Sequence, residues 1–191
     1  MFNRIRFNIS KYTYLNRLKT QNCNIHKSII FRDIDYCKIG NQVCLGEGCR
    51  LLCWSSYTSG KVPQSLTPEI VIGDRVHATR FLTIQCAGQV TIEEDVLIAS
   101  NVFIVDFNHG TDPITDNYLD NPLDVSSVII RKGCWIGNDV KIMPGVEIGE
   151  KSIIGAGSVV TKSIPSYSIA VGNPARVIKK YDHETNKWTR V

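Results

Sequence analysis

An aliphatic residue returns at every sixth position from Ile130 to Val160, and few folds tolerate such a period. From Ile130 the segments read IRKGCW, IGNDVK, IMPGVE, IGEKSI, IGAGSV and VTKSIP, so Ile130, Ile136, Ile142, Ile148, Ile154 and Val160 occupy equivalent places. Four residues after each stand Cys134, Val140, Val146, Ser152, Ser158 and Ile164, mostly small or β-branched. A period of six is neither the 3.6 of a helix nor the 2 of a half-buried strand. It predicts an all-β fold in which a ribbon of short strands winds through three hexads per turn as a parallel β-helix. The aliphatic residue then points inward and stacks on its copies in the turns above and below. Burying each one contributes roughly 1.5 to 3 kcal/mol, which offsets the ordering entropy of a chain with no other core. Gly137, Gly149 and Gly155 each follow an inward residue, and are expected to supply corner angles that a Cβ forbids.

The same grammar occurs earlier in other phases, as IGNQVC and LGEGCR from Ile39, IGDRVH from Ile72, and IEEDVL, IASNVF and IVDFNH from Ile92. A phase change marks a loop pushed out between coils, since an insertion resets the count without disturbing the stack. Two insertions are expected, over 53–71 with Pro63 and Pro68, and over 106–128 with Pro113 and Pro122.

A length of 191 residues with 43% hydrophobic side chains suits one domain over 1–191, with a basic segment at 1–30 and a C-terminal extension at 175–191. The net charge of +4 comes without a basic stripe, which argues against a nucleic-acid partner. The first thirty residues carry Arg4, Arg6, Lys11, Arg17, Lys19 and Lys27 and no acid. That end reads as solvated, with an anionic membrane surface as the alternative. Neither a signal peptide nor a spanning apolar run is present, so a soluble, cytoplasmic protein is expected. Seven cysteines without C-x-x-C spacing are expected to be free thiols; Cys37, Cys49 and Cys134 fall four residues after an inward position or its extrapolation, where packing explains them.

The segments WIGNDVKIMPGVEIGEKSIIGAGSVVTKSIP (135–165) and AVGNPARVIKK (170–180) resemble the hexapeptide-repeat acyltransferases, and among them the sugar O-acetyltransferases that include the galactoside and maltose enzymes. The resemblance covers Ile39 to Lys180. It implies a left-handed β-helix, a homotrimer with active sites between neighbouring subunits, and acetyl-CoA as co-substrate with no metal. It further implies that His109 is the catalytic base, that Asn138, Ala156, Thr161, Lys162, Arg176 and Lys179 contact CoA, and that Trp135 lines the cleft.

The chemistry suits these residue types. A sugar hydroxyl is almost wholly protonated at neutral pH, and an imidazole with an unperturbed pKa of about 6.5 is the natural group to take its proton. His109 lies where IVDFNH runs into the Asp-rich insertion. Lys162, Arg176 and Lys179 can meet phosphates, and Ala156 lets a pantetheine arm approach the backbone. His77, His26 and His183 stand without a constellation around them, and no serine lies in G-x-S-x-G. For the acceptor, Asp106 is expected to orient the imidazole or grip the substrate, and Trp54 and Tyr57 to stack on a sugar face or pack. Thr79 and Arg80 stand where the family often has an asparagine. The expected activity is acetyl transfer to a sugar hydroxyl of a bacterial surface polysaccharide or its precursor. A free sugar, an antibiotic such as chloramphenicol, or a noncatalytic scaffold remain the alternatives. Serine acetyltransferase would need a long N-terminal helical domain, and a γ-class carbonic anhydrase a second histidine soon after His109.

Overall fold

The computed structural model describes residues 12–58, 63–115 and 117–191. Arg4, Arg6 and Lys11 of the basic end and Asp116 of the second insertion lie outside them. Three sheets form the walls of a prism, and within each the strands stack in chain order. The six-stranded wall runs from Ile30–Arg32 through Arg50–Cys53, Thr83–Cys86, Phe103–Val105 and Lys141–Ile142 to Val159–Val160, all parallel. A five-stranded wall, also parallel, holds Cys37–Ile39, Glu69–Ile72, Gln89–Ile92, Val128–Ile130 and Glu147–Ile148. The nine-stranded wall begins at Asn24–Ile25 and stays parallel to Ser168–Gly172, after which Ala175–Asp182 and Lys187–Arg190 turn back antiparallel.

Register confirms three hexads per turn, since Ile130 pairs with Ile148, Ile136 with Ile154 and Ile142 with Val160. The inward column from Ile130 to Val160 is 0% exposed, and the second column from Cys134 to Ile164 is also buried. Serine is tolerated in that column because its hydroxyl is satisfied: Ser152 Oγ donates to the Pro165 carbonyl at 2.7 Å and Ser158 Oγ to that of Gly155 at 2.6 Å.

The corner angles are not where the sequence reading puts them. Positive φ falls three residues after the inward position, at Gln42, Arg75, Asp95, Asp139 and Lys151 as well as at Gly133, Gly145 and Gly157. For a side-chain-bearing residue this conformation costs roughly 1–2 kcal/mol. It recurs because it aims the corner N–H at the preceding turn: Asp95 donates to Asp74 O at 3.0 Å, Asp139 to Ser100 O at 2.9 Å and Lys151 to Lys132 O at 3.1 Å. Gly137 and Gly149 answer to a different constraint, close approach of stacked turns. A Cβ on Gly137 would lie 2.7 Å from Ala156 N, and one on Gly149 would lie 2.2 Å from Ser166 N.

The coil also begins earlier than Ile39. A helix over 12–20 sits on its first turn, with Leu18 buried in the main core and the Tyr14 hydroxyl donating to the Cys37 carbonyl at 2.6 Å. Hexad grammar is weak there because aromatic and helical residues cover the open end. Outside the five-stranded wall, Arg131 ties three turns together, donating to Glu93 and to Glu147 at 2.8 Å each.

Candidate functional site

Two excursions leave the ridge that follows the six-stranded wall. After Cys53 the chain forms a hairpin, Ser56–Tyr57 against Gln64–Ser65, and rejoins the coil at Glu69–Ile72. After Val105 it forms a second, Phe107–His109 against Leu123–Val125, and rejoins at Val128–Ile130. His109 therefore sits on a hairpin standing off the prism, opposite Leu123, and not on the coil edge where the repeat pattern puts it. The hairpins share a small apolar core of Tyr57, Ala87 and Leu123, against which Trp54, Leu66, Phe107 and Val125 pack. Gln64 adds a polar lock, bonding both the N–H and the carbonyl of Leu123.

Asp106 anchors the second excursion at its root. Its side chain is 0% exposed; Oδ1 accepts from Ala87 N–H at 2.7 Å and Oδ2 from Gly88 N–H at 2.9 Å, with the Cys86 thiol at 3.3 Å. This corrects the expected role of Asp106. A carboxylate sealed among backbone donors of the preceding turn neither reaches an acceptor nor orients the imidazole.

The group that meets the imidazole is Tyr57, whose hydroxyl oxygen is 3.2 Å from His109 Nδ1, with the rings edge to face at 5.5 Å. The same hydroxyl donates to the Leu119 carbonyl at 2.7 Å. Leu119 lies in a short turn, Tyr118–Asp120, whose N-cap Asn117 accepts the Leu119 N–H through its side chain. Asn121 closes the base of this segment by donating to the carbonyls of Gly110 and Asp112. His109 itself is exposed while Tyr57 is buried.

Trp54 is not free to stack on a ligand with both faces. The Arg32 guanidinium lies 3.7 Å over the indole ring, and Phe107 meets it edge-on at 6.2 Å. Tyr57 likewise packs rather than lining a sugar face. The buried thiols are poor nucleophiles: burial pushes Cys134 up to about 11, and Cys86 is raised by its hydrogen bond with Cys53, by burial and by the Asp106 charge.

The remaining candidates divide between two ridges. Trp135 and Ile136 lie on the nine-stranded wall, and the ridge beyond it carries Thr79, Ala99, Asn138 and Ala156 in successive turns. Trp135, Asn138 and Ala156 come together there with Ala99, Ile153 and Gly155 around a depression of about 300 Å³. Lys179 joins the column of Trp135, Ile153 and Ile169 by strand register, and Arg176 stands on the same strand as Lys179. Thr161 and Lys162 follow Val160 on the other ridge, the one from which the His109 hairpin springs. Thr79 is thus on the ridge of Asn138, away from His109. The sequence missed Gln64 and Leu119 as well as the bond made by Tyr57, because the insertions carry no period to say which residues meet.

A family model for bacterial transferase hexapeptide repeats (six repeats) matches residues 127–162. WbbJ of Escherichia coli (strain K12), which is named as a lipopolysaccharide biosynthesis O-acetyl transferase, is 40% identical over 63% of this chain and 65% of its own length. This chain therefore spans just under two thirds of that relative. A maltose O-acetyltransferase from Clostridium difficile 630 is 31% identical, with a TM-score of 0.64 over 78% of this chain and 72% of that one. The N-acyltransferase AntD from Bacillus cereus, at 23% identity and a TM-score of 0.67 over 84% of this chain and 82% of its own, shares the fold. The architecture is the parallel β-helix that the hexapeptide repeat predicts, with the left-handed winding that the family resemblance implies.

Proposed function

This chain belongs to the bacterial hexapeptide-repeat transferase family, and from that premise we propose that it is an acetyl-CoA-dependent O-acetyltransferase acting on a sugar hydroxyl. The observation that carries the reading is His109, an exposed imidazole on a hairpin braced from two sides, beside a ridge that bears Thr161 and Lys162. In the proposed reaction the imidazole takes the hydroxyl proton as the oxygen attacks the acetyl carbonyl carbon. Backbone N–H groups stabilise the resulting oxyanion. Its collapse breaks the carbon–sulfur bond and releases CoA thiolate, which receives the proton back from the imidazolium. A positioned base of this kind contributes roughly 10² to 10⁴ in rate.

The cofactor would lie along the depression at Trp135, Asn138 and Ala156, with Arg176 and Lys179 toward its phosphates. In one chain these residues and His109 leave different ridges of the prism. A homotrimer resolves this, because the ridge of Trp135 in one copy can face the His109 ridge of the next, so that a long cofactor gains two walls. The match to WbbJ supports a surface polysaccharide or its precursor as acceptor. Among the described residues no helix is long and apolar enough to cross a membrane.

Labelled acetyl-CoA offered with oligosaccharides, nucleotide sugars, free sugars and chloramphenicol tests the reading. Transfer to the saccharides, lost in a folded, trimeric His109→Ala variant, is the expected result. Turnover confined to chloramphenicol would overturn the sugar acceptor, and undiminished turnover by His109→Ala would overturn the base.

A further inference from the structure

We infer that Tyr57 is a positioning residue that fixes the tautomer of His109, holding a proton on Nδ1 so that Nε2 presents the lone pair to the substrate. A phenol has one proton to donate. Here that proton is committed to the Leu119 carbonyl at 2.7 Å, the shorter of the two contacts and one made to a pure acceptor. The contact of 3.2 Å between the Tyr57 oxygen and Nδ1 is then a hydrogen bond only if Nδ1 carries the hydrogen and donates it. A neutral imidazole protonated on Nδ1 has its lone pair on Nε2. That edge of the ring faces away from Tyr57, and His109 as a residue is exposed.

The arrangement matters because free histidine prefers the opposite tautomer, with the proton on Nε2 and no base at the outer edge. The relay from Nδ1–H to Tyr57 and on to Leu119 removes that loss. It also favours the charged state formed in turnover: when Nε2 takes a proton, the Nδ1–H bond to Tyr57 becomes charge-assisted, and the tyrosine hydroxyl is already polarised by Leu119. Tyr57 is only 7% exposed, so water does not compete for the relay. Its three members come from two excursions, Tyr57 from the first and His109 and Leu119 from the second. The base is therefore assembled only when the hairpins dock.

The tautomer follows from the geometry alone, whereas its catalytic value rests on the reading of His109 as the base, and the test separates the two. In protein labelled with ¹⁵N-histidine, His109 is assigned by the signals that vanish in His109→Asn. Above the imidazole titration its Nδ1 should give a pyrrole-type resonance and its Nε2 a pyridine-type one, with no donor or acceptor substrate present. In Tyr57→Phe the two resonances should move toward the opposite pattern. Turnover should fall at least about 10-fold in kcat, a part of the roughly 10² to 10⁴ that a positioned base contributes, while KM for acetyl-CoA changes less than about twofold. A wild-type His109 carrying its proton on Nε2 overturns the proposal, and that spectrum decides it even if Tyr57→Phe does not fold. A tautomer that shifts with no fall in kcat overturns the catalytic role. A wild-type protein with the expected tautomer and no transferase activity overturns the function and leaves the relay standing.

Discussion

Gln64 bonds the backbone of Leu123 twice, Nε2 donating to its carbonyl at 3.1 Å and Oε1 accepting its N–H at 2.8 Å, as an added strand would. Leu123 is in turn the residue opposite His109, so this amide holds the strand that holds the imidazole. Each bond is worth about 0.5–1.5 kcal/mol net. Gln64→Ala should weaken hairpin docking by about 1–3 kcal/mol on that scale. Hydrogen exchange at the Leu123 amide should quicken and turnover should drop, while the melting of the coil stays nearly unchanged. An exchange rate equal to wild type would show that the apolar contacts alone dock the hairpins.

Asp106→Ala leaves the N–H groups of Ala87 and Gly88 without the acceptor they have in the native fold. At about 1–3 kcal/mol for each buried donor left unsatisfied, denaturant unfolding should report a loss of several kcal/mol. Asp106→Asn keeps one oxygen as acceptor but sets an amide NH₂ against the other donor, and should lie between wild type and Ala. Equal stability of all three would refute the clamp.

Two glycines separate crowding from backbone conformation. Gly149 has ordinary φ, but its added Cβ would meet Ser166 backbone, whereas Gly157 has φ +71 and nothing within 4 Å of the added atom. Gly157→Ala should cost about 1–2 kcal/mol, the left-handed penalty alone. Gly149→Ala should cost at least as much as the roughly 1–3 kcal/mol of an overpacked core, and should disturb the Ser166 amide signal as well. The reverse order in thermal melts would contradict the close-approach account.

Acid should weaken the flank of the coil through Glu93. Burial alone would raise its carboxyl, but the Arg131 hydrogen bond, the Lys132 N–H and their charges hold it below the usual carboxylate range. A carboxylate depressed in the folded state contributes stability above its unfolded pKa of about 4.3, and that contribution is lost as pH falls through the folded value. The melting temperature should therefore decline below about pH 4, and Arg131→Met should flatten this part of the profile. An unchanged acid slope in Arg131→Met would show that other carboxylates dominate it.

The architecture could be read from residue order, because each hexad repeats one local decision. Ile130, Ile136 and Ile142 have the same environment, so a single spacing rule specifies which side chain faces in and which turns stack. His109 could be singled out from where the repeat ends, and Trp135, Asn138 and Ala156 from a family-like segment, and the structure gathers those three around one depression. Two local details misled. Gly137 and Gly149 are small because turns approach closely, and the left-handed corner falls elsewhere in the hexad, where backbone bonding between turns supports even Lys151. The two insertions were opaque for a different reason. No period relates Tyr57 to Leu119 or Gln64 to Leu123; they meet because hairpins two turns apart on one ridge bury a shared apolar patch. Sequence alone thus determined the coil, its repeat and the histidine at its interruption. Only the tertiary structure decided that Asp106 is a buried clamp and that Tyr57 meets the imidazole, because those contacts join segments whose separation along the chain follows no rule.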